Sequence, residues 1–315
     1  MSSLLETCKL LDQSSSALTT IAVAVAALSC EAARANLSAF DLTDSGDGFV
    51  AKDDIGVASD IKILLNGSKL VASSNKGDDD KVSINSFSKI PVVNGNVREA
   101  VKSLHSAIRV VANSGEKVGG KVLHLGFELR NCGESSLERV RLNLGSVGFD
   151  GIQDVFEKDC LSEESLRNGV TLAVEAGLEK DYVKLVKEVD LVLEIVWKIV
   201  AWEAVTAFFV LEGVEVLNEN SGGKGGEADE GNVKAEKKKK KKKVFLGKGT
   251  SVIVEVIKDR VMSKGEGFEN VVQELLSFLD LKSSEFDGFL KKVKEILESN
   301  ESRRIPKTPK VKAKP

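Results

Sequence analysis

Proline, tyrosine and tryptophan are scarce in this chain: its 315 residues hold four, one and two of them. So few turn-forming and strand-favouring aromatic residues, against abundant Val, Leu, Ala, Lys and Glu, argue for helices over a sandwich or barrel. Cysteine is thin too. Cys8, Cys30, Cys132 and Cys160 lie far apart, without the paired spacing of a zinc knuckle or a dithiol motif, and read as reduced packing thiols. Histidine is limited to His105 and His124, the first on a helix face and the second between Leu123 and Leu125. Catalytic use of either would need a nucleophile or carboxylate brought from elsewhere, so a structural or surface role is the expectation.

Cationic residues ahead of an apolar run are missing from the beginning, where Glu6 stands in place of the basic part of a signal sequence. A long uninterrupted apolar run is missing as well. Residues 21–30 fall short of the roughly 20 residues a bilayer needs, and residues 189–217 are broken by Asp190, Glu194, Lys198, Glu203 and Glu212. Neither reads as a membrane span, and no membrane partner is expected.

What is present is enough apolar residue, 42%, to bury a core, and a charge asymmetry hidden by a formal net charge of -3. Up to Gly223 there are 22 basic and 33 acidic residues; after it there are 23 basic and 15 acidic. The front is acidic and the back basic, so a polyanion would be drawn to the back.

Helical spacing runs through most of the chain. Residues 2–36 predict one or two helices, the second alanine-rich and closely packed. Residues 41–54 have loop composition; Asp53 or Asp54 could cap a helix that carries Ile55, Val57, Ile61, Leu64 and Leu65 to a stop at Asn66-Gly67. Residues 71–94 read as a polar connection, residues 97–113 as a helix, and residues 122–129, 137–144 and 166–178 as shorter apolar stretches punctuated by glycine. Residues 181–217 give the strongest element, an apolar helix with a narrow polar stripe of Lys184, Lys187, Glu188, Asp190, Glu194 and Lys198. Trp197 and Trp202 are its expected buried anchors.

Residues 221–243 combine glycine, acidic residues and lysine, and cannot bury enough apolar area to offset backbone ordering, so a disordered linker is expected. Beyond it, residues 250–262, 268–279 and 286–297 form a three-helix unit whose core candidates are Val252, Val256, Leu275, Phe278, Phe289, Val293 and Ile296. The expected organisation is a helical domain over residues 1–219, a glycine, acidic and polylysine linker over 220–246, a small helical module over 247–302 and a basic tail over 303–315. The fold class is mainly α: a helical bundle with a long central helix.

One signal points to a partner class. Lys237, Lys238, Lys239, Lys240, Lys241, Lys242 and Lys243 form an unbroken run, joined toward the end of the chain by Arg303 and Arg304. Such an array can lie near many phosphates and gain affinity by counterion release without reading sequence, which suits tRNA or another RNA. With no aromatic residue interleaved, base stacking is not indicated. The other readings of the run are a solvated linker and a nuclear import signal. Gly247-Lys-Gly-Thr-Ser251 lacks the spacing of a phosphate loop, and serves more simply as a helix entry with Thr250 or Ser251 as cap. Asp44-Ser-Gly-Asp-Gly48 lacks the ligand series and terminal glutamate of a calcium loop and reads as a turn. No metal and no cofactor are expected.

Several segments taken together resemble the plant cytosolic histidyl-tRNA synthetase family, within its long amino-terminal extension only. They are Val25-Ala-Ala-Leu-Ser-Cys-Glu31, Asp44-Ser-Gly-Asp-Gly48, Ile55-Gly-Val-Ala58, Leu64-Leu-Asn-Gly67, Ile195-Val-Trp-Lys-Ile-Val200, Gly247-Lys-Gly-Thr-Ser251 and Val293-Lys-Glu-Ile-Leu-Glu-Ser-Asn-Glu-Ser-Arg-Arg304. The stretch Glu301-Ser-Arg-Arg-Ile-Pro-Lys-Thr-Pro-Lys310 resembles the lead-in to the catalytic domain of that family, but Pro309-Lys310 is followed by Val311 rather than by Gly-Thr-Arg-Asp-Phe. No catalytic residue is carried over.

Ala27-Leu-Ser-Cys-Glu-Ala32 and Ala39-Phe-Asp41 are similar to the helical aromatic amino acid ammonia-lyases, which implies a piece of their fold for the front part. Their cofactor forms from Ala-Ser-Gly; Ala112-Asn-Ser-Gly115 has an intervening Asn and does not match. The resemblances imply a cytoplasmic, non-catalytic or truncated synthetase-like chain that assists tRNA or synthetase binding. Its partners would be RNA, a full-length synthetase or a second copy of itself. The rival reading is a structural interaction module that docks or dimerises without RNA.

Overall fold

The computed structural model describes residues 2–42, 50–71, 87–110, 115–147, 156, 161–212, 246–264, 268–279 and 284–301. Among them are nine α-helices, one 3-10 helix and no strand. The helices are α1 (Ser2–Ala32), α2 (Lys52–Leu64), α3 (Ile90–Val110), α4 (Gly115–Val147), α5 (Glu163–Leu178), α6 (Tyr182–Glu212), α7 (Lys248–Lys264), α8 (Phe268–Phe278) and α9 (Ser284–Glu301). The 3-10 helix, Leu37–Phe40, follows α1 and is opened by the Asn36 side chain, which accepts the Ser38 N–H at 2.9 Å. The mainly α class read from composition and spacing is the class observed.

α1 is one continuous helix, about 46 Å long at roughly 1.5 Å per residue. Residues 21–28 are buried all the way round, because alanines at 22, 24, 26 and 27 let α3, α6 and α7 approach on different sides. Its length and apolar composition would suffice to cross a membrane, yet 83% of its most apolar window lies inside the bundle. α6 is the second encircled helix, with every residue from Ile199 to Phe209 buried. Trp202 is fully enclosed edge-to-face with Phe156, their centroids 5.3 Å apart. Trp197 is half-buried, donates its indole N–H to Ser14 Oγ at 3.2 Å and stands edge-on to Phe286.

Two stretches differ from the sequence reading, both for a reason that involves glycine. The region from 122 to 144 is not a set of short pieces but part of α4. Its Gly119, Gly126 and Gly133, spaced seven apart, face Tyr182, Val189 and Val196 of α6, spaced seven apart in turn. Both series ascend, so α4 and α6 run parallel, with a seven-residue repeat that keeps one seam in register. A Cβ at Gly119 would meet the Tyr182 ring at 2.6 Å, and one at Gly126 would meet Val189 Cγ2 at 3.1 Å. These glycines are points of contact rather than breaks.

Likewise α3 begins at Ile90 within the expected polar connection. Pro91 is accommodated in its first turn, and Gly95 lies against Asp54 of α2, where a Cβ would come within 2.9 Å of the Asp54 amide nitrogen.

Helix ends follow local chemistry with three departures. Ser162 and Ser165 form a reciprocal capping box that opens α5. The α2 cap position is Ala51, with no side-chain cap, so Asp53 and Asp54 sit in the first turn, where a negative charge suits the helix dipole, rather than at the cap. Thr250 and Ser251 lie inside α7, and their hydroxyls donate back to the carbonyls of Gly247 and Lys248.

α1 and α5 both stop in a left-handed turn formed by a non-glycine residue, Arg34 at φ 52° and Lys180 at φ 59°. The turn after α5 is a Schellman arrangement, with Lys180 N–H on Gly177 O and Asp181 N–H on Ala176 O. Lys180→Gly is therefore expected to stabilise the protein by about 0.5–1 kcal/mol, read as a rise in the midpoint of chemical unfolding; an unchanged or lower midpoint would refute it.

The three C-terminal helices pack on α1, α2 and α6 and share their hydrophobic core. Leu275, Phe278, Phe289 and Val293 are buried as expected. On α7 the buried set is Ile253, Val254 and Ile257, one position off the expected Val252 and Val256, which are half-buried. Apart from Leu246, which is half-buried against the core, the expected linker and the basic tail lie outside the described residues.

Candidate functional site

The sequence-derived RNA-binding residues, Lys237 to Lys243 with Arg303 and Arg304, lie outside the described residues, as do Asp44-Ser-Gly-Asp-Gly48 and Cys160. The other sequence candidates can be placed. His105 Nδ1 is 2.7 Å from Asp12 Oδ2, and His124 Nε2 is 3.5 Å from Glu99 Oε2, both at the surface. Each imidazole therefore has a carboxylate beside it at the surface, in two separate pairs. Cys8, Cys30 and Cys132 are buried and free. Desolvation pushes the Cys8 thiol up to about 11 and Cys132 up to about 12, which leaves both as inert packing groups. No cluster of three metal-ligating side chains occurs among the described residues.

The densest chemistry in the bundle is a polar cluster that sequence reasoning did not assemble. Arg139 of α4 and Glu203 of α6 are 1% and 0% exposed. Arg139 Nε donates to Glu203 Oε1 at 2.6 Å and Nη2 to Oε2 at 3.0 Å, a bidentate fork. Ser29 of α1 donates to Oε1 at 2.8 Å, and the Ser136 hydroxyl donates to Oε2. Arg139 Nη1 donates to Ser135 Oγ at 2.7 Å. Asn143 Nδ2 reaches both Ser29 Oγ and Thr206 Oγ1 at 3.4 Å, and Thr206 returns its hydroxyl to Trp202 O. Three helices thus converge on one carboxylate.

Burial acts to lower the basicity of the guanidinium, but Glu203 beside it more than offsets this and holds it above its ordinary value. With charge and hydrogen bonds matched, the cluster is sealed inside the bundle. Its chemistry is to fix the register of α1, α4 and α6 rather than to act on a substrate. One signal did mark it: Glu203 is the only charged residue in the otherwise apolar run from Ile199 to Phe209.

A surface depression of about 620 Å³ lies between α3 and α4, lined by Glu99, Lys102, Ser103, Ser106, Lys117 and Lys121 among others. Lys102 is already engaged with Asp53, and Glu99 shares the lining, so the depression is mixed in charge. It is open and shallow.

The Gly247-Lys-Gly-Thr-Ser251 segment is a packing element, not a phosphate loop. The Gly247 N–H donates to the buried Glu31 Oε1 at 2.7 Å, and Lys248 N–H to Asn66 O at 3.1 Å. A Cβ at Gly247 would fall 2.3 Å from Leu64 O, and one at Gly249 would fall 2.2 Å from Leu64 Cδ2. Glycine is what lets this strand of backbone lie directly on the end of α2.

With this geometry in hand, comparison with known proteins gives two distinct likenesses. No family model matches the chain. Its sequence is 39% identical over 333 aligned positions to the cytoplasmic histidine–tRNA ligase of Arabidopsis thaliana, covering 98% of this chain and 36% of the relative. It is 35% identical to the corresponding enzyme of Oryza sativa subsp. japonica, covering 95% of this chain and 41% of that one. The chain thus spans well under half the length of the relatives it matches.

Its fold is similar to that of histidine ammonia-lyase from Trypanosoma cruzi, with a TM-score of 0.64 at 13% identity over 99% of this chain and 62% of that one. It is similar again to tyrosine aminomutase from Streptomyces globisporus, with a TM-score of 0.65 at 15% identity over 95% of this chain and 61% of that one. The fold likeness therefore extends beyond the front part, where the sequence resemblance had placed it. The chain is a helical bundle with the fold of the ammonia-lyases and aminomutases, similar in sequence over nearly all of its length to a part of the plant cytoplasmic histidine–tRNA ligases.

Proposed function

We propose that the chain is a non-catalytic, synthetase-related part or companion of histidine–tRNA ligase that assists tRNA or synthetase binding in the cytoplasm. The observation that carries this reading is the 39% identity maintained across 98% of the chain with a cytoplasmic histidine–tRNA ligase. The bundle contributes a rigid, internally locked body, and the basic residues from Lys237 to Lys243, with Arg303 and Arg304, contribute the attraction for RNA. The chemistry of attraction is release of counterions from the phosphate backbone, so it selects polyanions rather than a base sequence.

If roughly five lysines engage single-stranded regions of tRNA, the logarithm of the binding constant should fall with that of salt at a slope near -3.5. Fluorescence anisotropy across a salt series, with the intact chain and a variant in which residues 237–243 become Gly/Ser, tests this. Salt-sensitive binding that is lost in the variant is the expected result. Equal binding by both would sink the role of the run, and no binding by either would leave protein docking or a truncation without function.

A further inference from the structure

We infer that the three C-terminal helices form a detachable unit, latched to the front of the bundle by Glu31 at the start of α7. The latch is small and specific. Glu31, fully buried near the end of α1, receives the Gly247 N–H, while Gly247 and Gly249 lie flush on the last turn of α2 and Lys248 N–H bonds to Asn66 O. Glu31 meets the start of α7 as a buried hydrogen-bond acceptor, taking the Gly247 N–H where a helix start leaves backbone donors unpaired. The hydrogen bonding of this carboxylate is incomplete, because its Oε2 is buried without a hydrogen-bond partner. A buried acceptor left unmatched is a local cost, which makes this junction weaker than the fully matched Arg139–Glu203 cluster.

The rest of the contact is apolar and imperfectly filled. Ile253, Leu275 and Phe289 face Ile21, Val25 and Val200 across a gap of about 20 Å³, and an unfilled seam forfeits dispersion contacts on both sides. Lys258 pairs with Glu212 at one margin and Phe286 meets Trp197 at another. Release would uncover the α1 and α6 face that Ile21, Val25 and Val200 share.

The junction is also sensitive to pH. Burial pushes the Glu31 carboxyl above its ordinary value, against the weaker pull of the nearby Ser68 and Thr250 hydroxyls, neither of which completes a hydrogen bond to Oε2, and of the Gly247 amide. The groups that face it from α7 and from the turn after α2 are those three, all uncharged, and its titratable neighbour on α1 is the buried Cys30. The docked state therefore holds the proton more tightly than the released one. Docking is strongest below the ordinary carboxyl value and weakens as pH rises through the raised one.

Hydrogen exchange on the full chain tests the latch. Amides of α7, α8 and α9 are expected to share one opening free energy below that of α4 and α6. Glu31→Ala is expected to speed their exchange roughly tenfold while α4 and α6 stay unchanged. Glu31→Gln, which keeps an acceptor for Gly247, is expected to preserve docking and remove its pH dependence. The inference is overturned if the wild-type C-terminal helices open only together with α4 and α6, a comparison that needs no variant to fold. It is also overturned if Glu31→Ala leaves their exchange unaltered.

Discussion

Arg139→Met is expected to lower stability by about 3–5 kcal/mol, because it strips the cation from a carboxylate that no water reaches. Glu203 would keep only the Ser29 and Ser136 hydroxyls of its four present donors, and the Ser135 hydroxyl would lose the Nη1 donor that it accepts. The double variant Arg139→Met, Glu203→Leu is expected to recover most of that loss, since replacing both members of a buried pair by apolar groups of similar volume is often neutral or better. Chemical unfolding of the two single variants and the double variant closes the cycle. A double variant as unstable as the sum of the singles would mean that the pair contributes through packing alone and that the charges are incidental.

A comparable loss, about 3 kcal/mol, is expected from Gly133→Leu on the parallel seam of α4 and α6. Even a bare Cβ there would come within 2.8 Å of Leu166 Cδ1 and 3.2 Å of Val196 Cγ2, and leucine adds three carbons to a space held by two helices at once. Overpacking of a filled core costs about 1–3 kcal/mol, and the upper end applies where both neighbours are buried on rigid helices. Gly120→Ala on the same helix supplies the contrast. Nothing lies within 4 Å of a Cβ at that exposed position, so the ordinary helix preference for alanine should stabilise by about 1 kcal/mol. Thermal unfolding of the two variants should move in opposite directions; a fall in both would show that α4 does not tolerate a side chain even on its open face.

These glycines also explain which parts of the fold could be read in the sequence. Helical spacing located the start of α6 to within one residue and found all three C-terminal helices, because apolar positions on one face report burial directly. It split α4 and shortened α3, because glycine and the Asn94-Gly95-Asn96 cluster look like punctuation when only neighbours in sequence are considered. Their meaning comes from Asp54, Tyr182, Val189 and Val196, which meet them only in three dimensions.

The same limit governed the buried site. Arg139 and Glu203 are 64 residues apart; Arg139 taken singly looks like a charge on a helix surface, and Glu203, though alone in an apolar run, does not name its partner. Glu31 was legible only as the last residue of a recognised segment. By contrast, the resemblance to the plant ligases was carried by contiguous words such as Ile195-Val-Trp-Lys-Ile-Val200, which need no folded structure to be read.

The encirclement of α1 has a consequence for synthesis. Its Ser29 waits for Glu203, which is added 174 residues later. At roughly 5–20 residues per second, that interval lasts on the order of 10–35 s. For most of it, a helix apolar enough in length and composition to enter a bilayer lacks its α6 partners and must be shielded by something other than its own fold. The nascent chain, rather than the finished bundle, is therefore the state in which this protein is most exposed to chaperones, to membranes and to aggregation.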